Sequence, residues 1–258
     1  MIVPPFADKS ELASCYTPGV FLDALRSAGW TPGVVPETVV YTYARFELYL
    51  ATDSARYTPN HMLGTGPGRF FIVNDSDGRV GINCLGIGPS ATAAQIELQA
   101  ELGVRRGIIV GTAGGLLNDQ SPGDIVFPTS AVRAEGTTDH YAPPDQPALP
   151  NEDLFNRFVS FLAARGFEGS SSPCWTTGAP FRTTSEELTY YASHGVRAVE
   201  EEVAALYVVG AARGLETAAA LVIDGVPTSD GRWRIDLSAA QMRLQQLFAS
   251  AIDFASAP

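Results

Sequence analysis

The sequence predicts an α/β protein, a three-layer α/β/α fold around a mixed β-sheet. Three observations carry that expectation. RGIIVGT (106–112) and AAALVID (218–224) are short apolar runs without polar alternation, as strands covered on both faces require. Stretches with helical periodicity, such as 90–102 and 237–254, alternate with them along the chain, which is how helices come to cover a sheet. No repeat or linker divides the 258 residues, and a single α/β domain often reaches this length.

Each element follows from its residues. Residues 1–36 are rich in proline and glycine and read as an irregular lead-in with one short helix near 19–28. A single domain is expected over 37–258. ETVVYTYA (37–44) is β-branched and aromatic, hence a strand. RFFIVN (69–74) and RVGINCLGI (79–87) form a strand pair across the DSDG turn at 75–78. A helix follows over 90–102, with Ser90 as its candidate N-cap. The run at 106–112 and GDIVFP (123–128) are strands, 154–165 and 186–192 are helices, and the helix 203–214 precedes the strand 218–224. The amphipathic stretch 237–254 closes the chain.

Composition excludes several classes of function. A net charge of −11 with no basic patch argues against nucleic-acid partners. No run of about 18 apolar residues is present, so no membrane helix is expected. The N-terminus lacks the cationic and apolar regions of a secretory signal. Three scattered cysteines suit a reducing, cytoplasmic location. No His and Cys cluster has metal-ligand spacing, so neither metal nor cofactor is expected.

Five places break the pattern of core and surface. LGIGPSATAA (85–94) puts Gly86, Gly88 and Ala91 in a G-x-G-x-x-A arrangement. The dinucleotide fingerprint also needs an acidic residue about 20 positions on, and Arg105 and Arg106 stand there instead. The turn is therefore either an anion or hydroxyl site at a helix start, using Gly88 and Ser90, or a plain tight turn. GTAGGLL (111–117) lets the backbone at Gly114 approach a ligand and offers the Thr112 hydroxyl. AVRAEGTTDHYAPP (131–144), with His140, is either a solvated loop or part of a site. WTTGAPFR (175–182) is a core edge or a ligand wall bearing Trp175, Thr177, Phe181 and Arg182. RAVEEEVAALY (197–207) sets Glu200, Glu201 and Glu202 side by side. Adjacent carboxylates repel, which raises the pKa of at least one or calls for a cation such as Arg197.

Taken together, these stretches resemble the nucleoside phosphorylase superfamily, which includes purine nucleoside and uridine phosphorylases and related nucleosidases. HMLGTG (61–66) and LGIGPSA are similar to that family's M-L-G and G-x-G-x-P-S segments. GTAGGL is similar to its G-[ST]-x-G-G loop, TTDHYAPP to a T-T-H-F-A-P segment, and AVEEEVAALY to V-E-M-E-A-A-x-[LIFY]. They occur in family order over about 37–256.

The resemblance implies a partly barrel-like sheet, a nucleoside substrate and assembly into trimers or hexamers. It implies that Glu202 holds the sugar hydroxyls, with Glu201 where a methionine is usual and Glu200 as a nearby site carboxylate. The base would lie between 175–182 and the start of the glutamate-bearing helix. Asp224, allowing a one-residue gap, would protonate the leaving base. A carboxylate beside the ribose stabilises the oxocarbenium character that glycosidic cleavage develops, and a positioned acid assists departure of the base.

Phosphate is the point of departure. Ile109 and Asn60 stand at two positions where the family carries phosphate arginines, leaving Arg45 for that role. Each charge-assisted contact is worth about 1.5–3 kcal/mol. Two losses weaken phosphate binding by orders of magnitude unless Arg69, Arg133 or Arg182 compensates. Phosphorolysis is the first reading. The alternatives are hydrolysis, with Glu47 or a clustered glutamate positioning water, and a diverged, non-catalytic nucleoside-binding protein.

Overall fold

The computed structural model describes residues 9–43, 50, 53–60, 70–228 and 232–257. Among them, one ten-stranded sheet forms the centre. Its strands are β1 (Thr38–Tyr43), β2 (Tyr57–Pro59), β3 (Phe70–Val73), β4 (Val80–Leu85) and β5 (Arg106–Gly115). The others are β6 (Ile125–Ala134), β7 (Ser170–Thr177), β8 (Ala198–Glu200), β9 (Glu216–Pro227) and β10 (Trp233–Ile235). The helices are α1 (Pro18–Ser27), α2 (Pro89–Leu102), α3 (Glu152–Ala163), α4 (Ser185–Ser193), α5 (Val203–Ala212) and α6 (Leu237–Ser256).

The spatial order is β10-β9-β6-β7-β8-β5-β1-β4-β3-β2, and β9 also pairs with β5. That extra pairing closes β5, β9, β6, β7 and β8 into a five-stranded barrel, from which β1, β4, β3 and β2 extend. The sheet is mixed: β1 lies parallel to β4 and β5, whereas β3 pairs antiparallel with β4 and β8 antiparallel with β5.

Apolar runs without alternation reflect burial on both faces. In β9, Ala219, Leu221 and Ile223 pack into one core with α2 and α5, while Ala218, Ala220 and Val222 pack into another with α3 and α6. β1 divides its residues the same way, with Val39 and Tyr41 on one side and Val40 on the other. This is the three-layer arrangement the sequence predicts. Among the described residues, no helix is long and apolar enough to cross a membrane.

Three strands run further than their apolar cores suggest. β5 continues to Gly115, β6 to Ala134 and β9 to Pro227, because barrel pairing rather than hydrophobicity holds those ends. The start of α2 also differs from expectation. Gly88, at φ 101°, is its N-cap, Pro89 takes the first turn, and no side chain caps the helix. Proline at the first position supplies a preset φ and has no N–H to satisfy. Ser90 is thereby released, and its hydroxyl instead meets that of Thr137 at 2.9 Å.

Candidate active site

The three glutamates stand where β8 meets α5, and each has a different environment. Glu200 ends β8 and is buried. Its Oε2 accepts the backbone N–H of Glu202 at 2.5 Å and of Val203 at 2.7 Å. Its Oε1 accepts the hydroxyl of Thr176 from β7, and Thr176 Oγ1 accepts the Ala204 N–H at 2.9 Å. Glu202, the N-cap residue of α5, gives no side-chain bond to its own helix. Its Oε1 accepts the Gly88 N–H at 2.7 Å, and its Oε2 accepts the Tyr43 hydroxyl at 2.8 Å. Two separate elements thus converge on the carboxylate at the start of α5: the end of β1 and the turn into α2.

The contact with Tyr43 depends on Gly111. The tyrosine ring lies on that glycine so closely that a Cβ would sit 2.5 Å from it, and only glycine admits the approach. In the turn at 86–90, read as an anion or hydroxyl site or a plain tight turn, the Gly88 N–H is taken by a carboxylate oxygen. That oxygen belongs to the chain's own Glu202.

Burial dominates the electrostatics. It pushes Glu200 up to about 8, with the Glu202 charge adding to the effect. It pushes Glu202 up to about 7, although the bonds from Gly88 and Tyr43 pull the other way. Burial, then the Glu202 charge, holds the Tyr43 phenol well above its ordinary range. Glu201 is half-buried, and burial raises its carboxyl as well. Arg197, considered above as a cation for this cluster, faces Asp119 at 3.7 Å instead.

A second group of residues lies where β5 pairs with β9. Thr112 is half-buried opposite Val222. The register then slips: Ala113 faces Ile223 but Gly114 faces Gly225. Asp224 is the extra residue of this bulge, a device that re-aims a side chain. β10 pairs with β9 beyond it and lays the Trp233 indole over both glycines. A Cβ at Gly114 would come within 2.9 Å of that ring, and one at Gly225 within 3.5 Å. Trp233 remains 38% exposed and lines a cleft of about 540 Å³ with Leu116, Asn118, Thr183 and Pro227.

The other predicted residues are placed elsewhere. Trp175 is buried in a core cluster, its ring 4.4 Å from that of Tyr191. Thr177 is buried and accepts the Ala179 N–H at 3.2 Å. Phe181 is fully exposed and Arg182 is exposed beside it. His140 is exposed on a 3-10 turn, and Lys9 Nζ approaches its Nδ1 at 2.6 Å. Arg45, Glu47, Arg69 and residues 61–66 lie outside the described residues.

Arg133 is not a spare phosphate ligand. Its guanidinium donates to Thr138, Asp139 and the carbonyls of Ala142, Pro143 and Gln146. It thereby fixes the loop around 138–146. Ile109 is fully buried in the core, and the Asn60 side chain donates to the Val34 carbonyl at 2.6 Å. Sequence reasoning missed Tyr43, Thr176 and Trp233. The signal for Tyr43 is an aromatic at a strand end, and for Trp233 a tryptophan nine residues past Asp224.

The family model of the Phosphorylase superfamily matches residues 42–253. The chain belongs to the phosphorylase superfamily. A guanosine phosphorylase of Halorubrum lacusprofundi is 30% identical over 156 residues, covering 60% of this chain and 65% of the relative. A uridine phosphorylase of Treponema pallidum is 33% identical over 162 residues, covering 58% of this chain and 62% of the relative. The matched region thus spans just under two thirds of each of these relatives. Solved phosphorylase-superfamily folds superpose well. A purine nucleoside phosphorylase of Toxoplasma gondii in complex with immucillin-H gives a TM-score of 0.73 at 19% identity, covering 86% of this chain and 91% of that one. An AMP nucleosidase of Bacteroides thetaiotaomicron gives 0.66 at 22% identity, covering 84% and 88%.

Proposed function

We propose that this superfamily member cleaves the N-glycosidic bond of a nucleoside, by phosphorolysis to free base and pentose 1-phosphate. One observation carries the reading. Glu202 is a buried carboxylate aimed away from its own helix and held between Tyr43 and Gly88. Each carboxylate oxygen has one further lone pair, which suits it to sugar hydroxyls and to the positive charge that develops on the ribose. The relatives named as guanosine and uridine phosphorylases support the same chemistry. Asp224, on the bulge beside Gly114, is the acid for the leaving base. Assembly of several copies would cover Ile87 and Phe181, which stand strongly exposed.

A second reading is hydrolysis. Ile109 lies in the core where the family offers a phosphate arginine, and Arg133 spends its donors on its own loop. A panel of purine and pyrimidine nucleosides, incubated with and without phosphate, separates the two. Base released only with phosphate supports phosphorolysis, and equal release without it supports a nucleosidase. No base from any nucleoside sinks both.

In this reading Trp233 forms a wall for the base. Stacking a base on an aromatic ring contributes about 1–3 kcal/mol. Trp233→Leu is therefore expected to raise KM for the nucleoside about tenfold with a smaller change in kcat. A KM within twofold of wild type would remove Trp233 from the site.

A further inference from the structure

We propose that Glu200 and Thr176 are positioning residues that cap α5 in place of Glu202, leaving the Glu202 carboxylate free to face the substrate. The inference rests on the assignment of Glu202 to the sugar. The first four N–H groups of any helix lack partners within it. The N-cap side chain normally turns back to accept one of them, at the second or third position of the helix. Glu202 holds the N-cap position of α5 yet makes no such bond.

The first two of these donors are already taken. Glu200 Oε2 accepts the N–H of Glu202 and of Val203, and Thr176 accepts that of Ala204, the second position. The bond from Thr176 to Glu200 Oε1 ties the two caps together. Both are buried, and both come from strands of the barrel, β7 and β8. The sheet therefore supplies the acceptors at this helix end. With those two N–H groups held by other residues, Glu202 extends the other way, to Gly88 and Tyr43. Besides Glu202, the titratable groups that act on Glu200 electrostatically are Cys174, Tyr43 and Tyr207.

Without Glu200 the N–H groups of Glu202 and Val203 lose their acceptor, and a Glu202 carboxylate turned back to its own helix would take that role. The test is a double-mutant cycle in the full-length protein, read on nucleoside cleavage and on melting temperature. Glu200→Ala is expected to lower kcat/KM at least about 30-fold, while Glu200→Gln, which keeps an acceptor for the two N–H groups, recovers most of it. Adding Glu200→Ala to Glu202→Ala should cost less than threefold more, because the carboxylate that Glu200 positions is already gone. Full additivity would overturn the proposal, as would a folded Glu200→Ala protein within threefold of wild type.

Should Glu200→Ala not fold, Thr176→Val takes its place in the same cycle, with the same outcomes decisive. A wild-type chain that cleaves no nucleoside defeats the functional reading instead. Positioning is then read from a carboxyl ¹³C titration of Glu202. Glu200→Ala should lower that titration further than Glu200→Gln, and equal shifts would overturn the inference.

Discussion

Glu202→Gln is expected to lower kcat/KM for a nucleoside at least about 100-fold, or about 2.7 kcal/mol of transition-state stabilisation. Glutamine keeps the size of the side chain and an oxygen for either Gly88 or Tyr43. What it lacks is the charge opposite a sugar that becomes positive in the transition state. The pH profile sharpens the expectation. Burial holds Glu202 up to about 7, and the ionised form is the one that stabilises the cation. Activity should therefore climb as pH rises through about 7, and that limb should vanish in Glu202→Gln. Stability has the opposite sign. Glu200 and Glu202 are both raised in the folded chain, so the stability they allow is fully present below about 4.5 and is lost as pH rises through 7 to 8. A variant with near-wild-type kcat/KM and an unchanged acid limb would refute the assignment of Glu202.

Much of this molecule is legible from short-range pattern. The apolar runs that became β5 and β9 announce two-sided burial, and the DSDG turn between β3 and β4 is built as read, with Asp77 and Gly78 at positive φ. The junction that carries Glu202 is legible because the residues on both sides of it, strand and helix, carry a recognisable pattern. What was not legible depends on tertiary convergence. Thr176 reads as one hydroxyl in a strand, and only the closure of β7 against β8 brings it to the start of α5. Tyr43 reads as a core aromatic until Gly111 gives it room to reach Glu202. Trp175 shows the reverse case. An aromatic in a suggestive motif becomes core, because α4 packs Tyr191 across it. β2, β8 and β10 are three-residue strands, too short to carry a period, and pairing alone defines them.

Asp224→Asn is expected to lower kcat for a nucleoside at least about 100-fold, within the range that general acid catalysis contributes. The substitution is nearly isosteric, and the bulge is set by the pairing of β5 with β9 on either side of it. The Asp224 carbonyl also accepts the Asp236 N–H at 3.0 Å, and Asp236 caps α6 through Ser238 and Ala239. None of these backbone bonds needs a carboxylic acid at 224, and a melting curve run beside the kinetics separates loss of the acid from loss of the fold. What asparagine lacks is a proton to deliver as the glycosidic bond breaks. That makes the loss depend on the leaving group. A purine or pyrimidine leaves poorly as an anion and should suffer the full effect. A 4-nitrophenyl riboside releases a phenolate that needs no proton, and its cleavage should fall by less than about fivefold. Equal losses on both substrates would mean that Asp224 acts through the shape of the site. A selective loss on the nucleoside would make it the acid that serves the departing base.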